Sequence, residues 1–320
     1  MRTTRHKHEK TDPIDELRDR RLPPGARDGA MILLLFRALA LLPLPALHVL
    51  GAALGWLLFA LVPSYRRTIR GNLPADLRQD RRVLRGAIAE SGKQVLELAW
   101  VWSRPTQQIL AKVRIDDPQE YDRLLRQDRA VLILTPHLGC FEMIAQSHMA
   151  SPIGRTRPML ALYRVPRKAA LRPLFEQARA HNGLLLAPAD LGGVRLLLRA
   201  LRKRQVVGML PDQVPSRGEG VWAPFFGRPA FTMTLPARLA HEHNALVIMT
   251  FAQRLPHGAG YRIRWQCMEE GLDGDPAADA GRINRALERL IRLCPEQYLW
   301  SYKRYKVPSG ATAPDPGSVS

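Results

Sequence analysis

A histidine and a glutamate five residues apart stand in the segment TPHLGCFEM, at His137 and Glu142. On a regular helix that spacing turns the two side chains about 140° away from each other. If Pro136 and His137 lie in a strand-to-helix turn and Glu142 in the first helical turns, the carboxylate still reaches the imidazole. Such a pair holds one ring nitrogen protonated and leaves the other free to take a proton, the arrangement of a general base. Gly139, between them, lets a ligand come close to the backbone.

Other polar groups fall at comparable places. Short β-like runs, VLILT (131–135), MLALY (159–163), LLLAP (184–188) and VVGML (206–210), are followed by His137, Arg164, Asp190, and Asp212 with Gln213. Two more runs, LVIMTF (246–251) and YRIRWQ (261–266), complete the strand set. Helical patterns lie between them at about 140–150, 168–182, 191–203 and 234–244. Arg81 to Trp102 and a stripe of Ile283, Leu287, Leu290, Ile291 and Cys294 read as helices before and after. Strands alternating with helices predict an α/β fold with a mixed, largely parallel sheet flanked by helices. Open sheets of this kind bind ligands beyond the carboxyl ends of their strands, so these residues form a plausible catalytic rim.

The N-terminal third supplies a second theme. Ala38 to Val62 has no charged side chain apart from a protonatable His48, and 25 such residues are long enough to cross a bilayer as a helix. Three readings stay open: a spanning helix, a helix kinked at Pro43 and Pro45 that only enters the membrane, or a buried core hairpin. Arg66, Arg67 and Arg70 follow the stretch and favour a cytoplasmic position for what comes next. The expected organisation is a polar tail (1–28), a membrane anchor (29–63), the main domain (64–308) and a second tail (309–320).

The chain of 320 residues carries 48 Lys and Arg against 29 Asp and Glu, a net charge of +19. Arginine outnumbers lysine 40 to 8, and residues 155–204 hold 12 of these cations against Glu176 and Asp190. A field of that sign suits an acidic partner such as an anionic membrane surface, lipid phosphates or an acidic carrier protein. A non-enzymatic basic protein bound to membranes or nucleic acid is the rival reading. It leaves the polar strand ends unexplained, and nucleic acid is not an expected partner.

Three widely spaced cysteines give neither a disulfide framework nor a zinc site. His241-Glu242-His243 lacks the H-E-x-x-H spacing, so no metal and no cofactor are expected. Cys140, three residues after His137, raises a thioester mechanism as a minor alternative. No GxSxG, Walker or dinucleotide glycine pattern is present.

TPHLGCFE resembles the H-x4-[D/E] block of the glycerolipid acyltransferase superfamily, and its glutamate spelling resembles the lipid A branch, the late lauroyl/myristoyl acyltransferases. PDQVPSRGEGVWAPFFGRPAFTMTLPARLA (211–240) is similar to that branch's Asp-Gln block, and PEQYLWSYKRYKVP (295–308) to its P-x-Q-[WY]-x-W…R-[WFY]-K signature. The resemblance implies a membrane-bound O-acyltransferase in which His137 is the general base and Glu142 its orienting partner. It places Arg164 on phosphate or developing negative charge, with Asp212 in the acceptor site. After Tyr163-Arg164 this chain departs from the family's usual continuation, and Arg167 and Lys168 are the alternatives there. The implied donor is an acyl-carrier protein or coenzyme A thioester. The implied acceptor is a phosphorylated glycolipid of the lipid A precursor type, with a glycerolipid as alternative, at the cytoplasmic side of the bacterial inner membrane.

Overall fold

The computed structural model describes residues 28–163, 184–215 and 219–314. The N-terminal apolar stretch is two helices, α1 (Asp28–Leu41) and α2 (Leu44–Leu61), broken at Leu42–Pro43. Pro43 has no N–H to extend α1, while Pro45 falls in the first turn of α2, where a missing N–H costs nothing. Helices α3 (Pro63–Asn72) and α4 (Arg81–Leu96) follow, with Asp80 capping α4 by accepting from Arg82 N (2.7 Å).

Helix α2 is apolar all round, but its two faces have different surroundings. Leu44, Leu47, His48, Gly51 and Gly55 are buried against the domain, whereas Val49, Leu50, Leu57 and Leu61 are exposed. The inner face meets α4 through glycines. A methyl on Gly51 would lie 2.6 Å from Lys93 Cα, and one on Gly55 or Gly92 would collide with the facing backbone. By length and composition α2 is the one described helix able to cross a membrane. Its inner face nonetheless makes it an element of the fold.

The main sheet has the order β1 (Val113–Ile115), β9 (Tyr261–Cys267), β8 (Leu246–Arg254), β2 (Val131–Leu134), β5 (Val206–Met209), β3 (Met159–Tyr163), β4 (Leu185–Pro188). Only β8 and β9 pair antiparallel; the other pairings are parallel. Every residue of β2 and β5 is buried, as expected of central strands covered on both faces. Helices α5 (Glu142–Ala150), α6 (Leu191–Arg202), α7 (Leu235–Glu242) and α8 (Pro276–Leu293) provide cover, and Ile283, Leu287, Leu290 and Ile291 of α8 are buried as the stripe predicts. The helical pattern at 168–182 lies outside the described residues.

A separate hairpin joins β6 (Gly220–Phe225) to β7 (Arg228–Met233). Its two-residue loop, Phe226-Gly227, takes φ of +47° and +67°, the backbone twist that two-residue hairpins favour. Asn284 of α8 ties the hairpin down by donating to Pro224 O (2.8 Å) and Thr232 Oγ1 (3.0 Å).

Candidate active site

The sheet register brings the site together. Leu134 of β2 pairs with Met209 of β5, and Thr135 N extends the ladder to Met209 O (3.1 Å). His137 and Asp212 each lie three residues beyond that matched pair, so two parallel neighbours deliver them to one point on the rim. Asp212 Oδ1 is 2.8 Å from His137 Nδ1 and Oδ2 accepts from His137 N at 2.9 Å. The same carboxylate thus fixes both ring and backbone.

Asp212 is buried, and burial alone would raise its carboxyl. The adjacent His137 ring, the hydrogen bonds from His137 and the charge of Arg304 outweigh that effect and hold it below the usual carboxylate range. An ionised carboxylate only accepts, so Nδ1 carries the proton and Nε2 the free electron pair. Gln213 Nε2 lies 3.0 Å from that nitrogen and can donate to it. An imidazole held by a carboxylate on one nitrogen and met by an amide on the other has the arrangement that general-base chemistry requires.

Glu142 opens α5, and its buried carboxylate stands in the wall of the same cavity as His137. The contact expected from sequence was Glu142 on the imidazole; the carboxylate on Nδ1 is Asp212. The cavity, about 260 Å³, is otherwise largely apolar, with Ile133, Ile144, Met159, Leu186, Met209 and Val214 among its walls. Phe141 packs its ring 4.8 Å from that of His137.

Gly139 has φ of +60°, and a methyl there would run into the carbonyl of Ala252. The close approach it permits is to the protein's own β8. Cys140 is buried, and burial together with the charge of Glu97 pushes its thiol up, away from a reactive thiolate. Asp190 accepts from Gly193 N (2.9 Å) as the cap of α6, which accounts for it without chemistry. Arg164, Arg167 and Lys168 lie outside the described residues. His241 donates from Nδ1 to Leu272 O (3.1 Å), and no group of three metal-binding side chains occurs among the described residues.

Sequence reasoning missed the residues behind Asp212 and behind the His137 loop. Burial and the charge of Asp212 push the Tyr298 hydroxyl up, so it stays protonated beside that carboxylate. Arg304, also buried, donates to Phe231 O (2.7 Å) and Thr232 Oγ1 (2.8 Å) while its charge faces Asp212. Both belong to the motif near the C-terminus, whose spelling was visible though the partners of its residues were not.

The profile of the bacterial lipid A biosynthesis acyltransferases matches residues 26–307. A lipid A biosynthesis lauroyltransferase of Escherichia coli (strain K12) is 27% identical over 275 residues, covering 83% of this chain and 87% of that protein. A lipid A biosynthesis palmitoleoyltransferase of the same strain is 25% identical over 275 residues, covering 83% and 86%. A lipid A biosynthesis acyltransferase of Haemophilus influenzae (strain ATCC 51907 / DSM 11121 / KW20 / Rd) is 28% identical over 289 residues, covering 85% and 88%. With nearly the whole described fold inside the match and His137 and Asp212 meeting at its sheet edge, the chain belongs to the bacterial lipid A biosynthesis acyltransferase family.

Proposed function

We propose that the protein transfers a fatty acyl chain from an acyl-carrier protein or coenzyme A thioester to a hydroxyl of a phosphorylated glucosamine disaccharide, the lipid A precursor. His137 is the general base, Asp212 orients it, and Glu142 adds a second carboxylate that favours the imidazolium formed in the reaction. The acceptor hydroxyl displaces Gln213 from Nε2, gives its proton to that nitrogen and attacks the thioester carbonyl. The tetrahedral oxyanion collapses with cleavage of the C–S bond, and the imidazolium returns the proton to the departing thiolate. Arg164, with Arg167 and Lys168 as alternatives, serves the acceptor phosphate or the oxyanion.

The observation that carries this reading is the His137 ring held by Asp212 on Nδ1 while its Nε2 side lines a cavity with hydrocarbon walls. An acyl chain fits such walls, and the relatives' names specify lauroyl and palmitoleoyl transfer. The exposed leucines of α1 and α2, with Arg67 and Arg70 exposed just beyond, suit a protein seated on the cytoplasmic face of the bacterial inner membrane. The purified protein in detergent is to be offered lipid A precursor and a lysophospholipid side by side, with a panel of acyl thioesters. Acylation of the disaccharide is expected; acylation of the lysophospholipid alone would replace the acceptor assignment.

A further inference from the structure

The turn carrying His137 is gripped from behind at nearly every backbone group. His137 O accepts from Leu299 N (3.0 Å), Gly139 N donates to Gln297 O (3.1 Å), and Cys140 N donates to Ala252 O (2.8 Å). Gly139 O accepts from Arg254 Nη2 at 2.8 Å. Gln297 and Arg254 are themselves locked together, since Gln297 Oε1 accepts from Arg254 N (2.8 Å) and Gln297 Nε2 donates to Arg254 O (3.0 Å).

Behind Arg254 lies a buried charge cluster. Its guanidinium binds Glu97 through Nε (2.8 and 2.9 Å) and Nη2 (2.7 Å), and reaches Glu90 through Nη1 (3.1 Å). Tyr261 donates its hydroxyl to Glu97 (3.1 Å), and His48 Nε2 lies 3.3 Å from the same carboxylate. His48 belongs to α2, so a continuous chain of polar contacts runs from the apolar N-terminal helix to the carbonyl of Gly139, two residues from the His137 imidazole.

Stability alone is a weak reason to keep such a cluster. Removing two charges from water costs several kcal/mol per ion, and well-packed apolar residues of the same volume are often as stabilising or more so. What apolar residues cannot supply is a directional grip on a single carbonyl. A helix glued to the domain by Gly51, Gly55 and Gly92 needs no histidine for packing either.

We propose that Gln297 and Arg254 are positioning residues for the His137 turn, and that His48 of α2 completes this device by holding Glu97 in place. The proposal rests on His137 being the base, and it makes seating of the N-terminal helix pair a condition for a correctly aimed imidazole. A misplacement of about 1 Å at a catalytic group costs on the order of 10²-fold in rate.

The test uses full-length protein in detergent micelles, measuring kcat, KM and Tm. Gln297→Met, of similar length but without the amide, should lower kcat by on the order of 10²-fold with KM little changed. His48→Leu should lower kcat on the order of 10-fold, a partial misplacement, and His48→Gln, which restores an N–H toward Glu97, should recover most of it. Folded Gln297→Met and His48→Leu proteins with wild-type kcat would overturn the proposal. If Gln297→Met does not fold, the His48 pair decides, because it leaves Arg254 and Glu97 intact. Loss with both His48 variants alike marks a packing role and also overturns the coupling. His137→Ala separates the two readings. Full activity in that variant removes the base itself, whereas an inactive His137→Ala beside active Gln297→Met and His48→Leu removes only the positioning device.

Discussion

Two histidine–carboxylate contacts among the described residues have opposite settings. At His137 the carboxylate of Asp212 holds Nδ1, the imidazole side chain is 15% exposed, and Nε2 lies 3.0 Å from Gln213 at the cavity. At His48 the side chain is 7% exposed, and Glu97 is already bound by Arg254 and Tyr261. In the proposed mechanism the first pair exchanges a proton with a bound molecule. The second pair is not part of the cavity lining, and its carboxylate is held by the guanidinium of Arg254. Residue types alone do not separate the two settings; the surroundings of the second ring nitrogen do.

The largest way to break this comparison is at Asp212. Asp212→Asn keeps the shape but can donate to Nδ1, which moves the proton to Nε2 and leaves no basic nitrogen facing the cavity. A loss of about 10³–10⁴ in kcat is expected from steady-state kinetics in micelles, by analogy with the wrong-tautomer effect in serine protease triads. Activity near wild type would show that Nδ1 needs no carboxylate.

Glu142 sharpens the comparison. It shares the cavity with His137, whereas Asp212 holds the ring, so Glu142→Gln should cost about 10–10² in kcat, at or below the lower end of general acid–base effects. A loss as large as that of Asp212→Asn would return Glu142 to the orienting role expected from sequence.

At the His48–Glu97 pair a further effect, beside the one on kcat, is the pH dependence of stability. Burial would raise the Glu97 carboxyl, but the charge of Arg254 and hydrogen bonds from His48 and Arg254 hold it well below the usual glutamate range. Its folded-state value is depressed, so its contribution is fully present above the unfolded value near 4.5 and fades as pH falls through the folded value. Thermal melts should therefore show wild-type Tm falling more steeply than that of Glu97→Gln below about pH 4.5, although the variant starts lower because Arg254 loses a charged partner. Parallel curves would mean that Glu97 does not carry this acid sensitivity.

Much of the sheet was legible because buried parallel strands are short apolar runs bounded by breakers. VLIL, MLALY and VVGM became β2, β3 and β5 with ends within a residue of expectation. Strand β1 escaped notice because three residues carry no period. His137, Asp212 and Gln213 were all visible at the rim, but which carboxylate meets Nδ1 was not, because strand register supplies it from 75 residues away. Arg254 and Glu97, 157 residues apart, gave no signal, since each reads as an ordinary charge on a strand or helix. The apolar stretch was visible as a candidate membrane segment, while the Gly51, Gly55 and Gly92 contact that seats α2 on α4 needs the partner helix to be seen.

The role of His137 is tested most directly by the rate at which folded His137→Ala protein transfers acyl groups from a thioester to lipid A precursor in micelles, with rapid quench and mass spectrometry of the protein. The predicted result is a loss of about 10²–10⁴ or more, the range of general-base catalysis, with no acyl group on Cys140 in either wild type or variant. Wild-type turnover by His137→Ala, or an acyl-thioester trapped at Cys140, would contradict it.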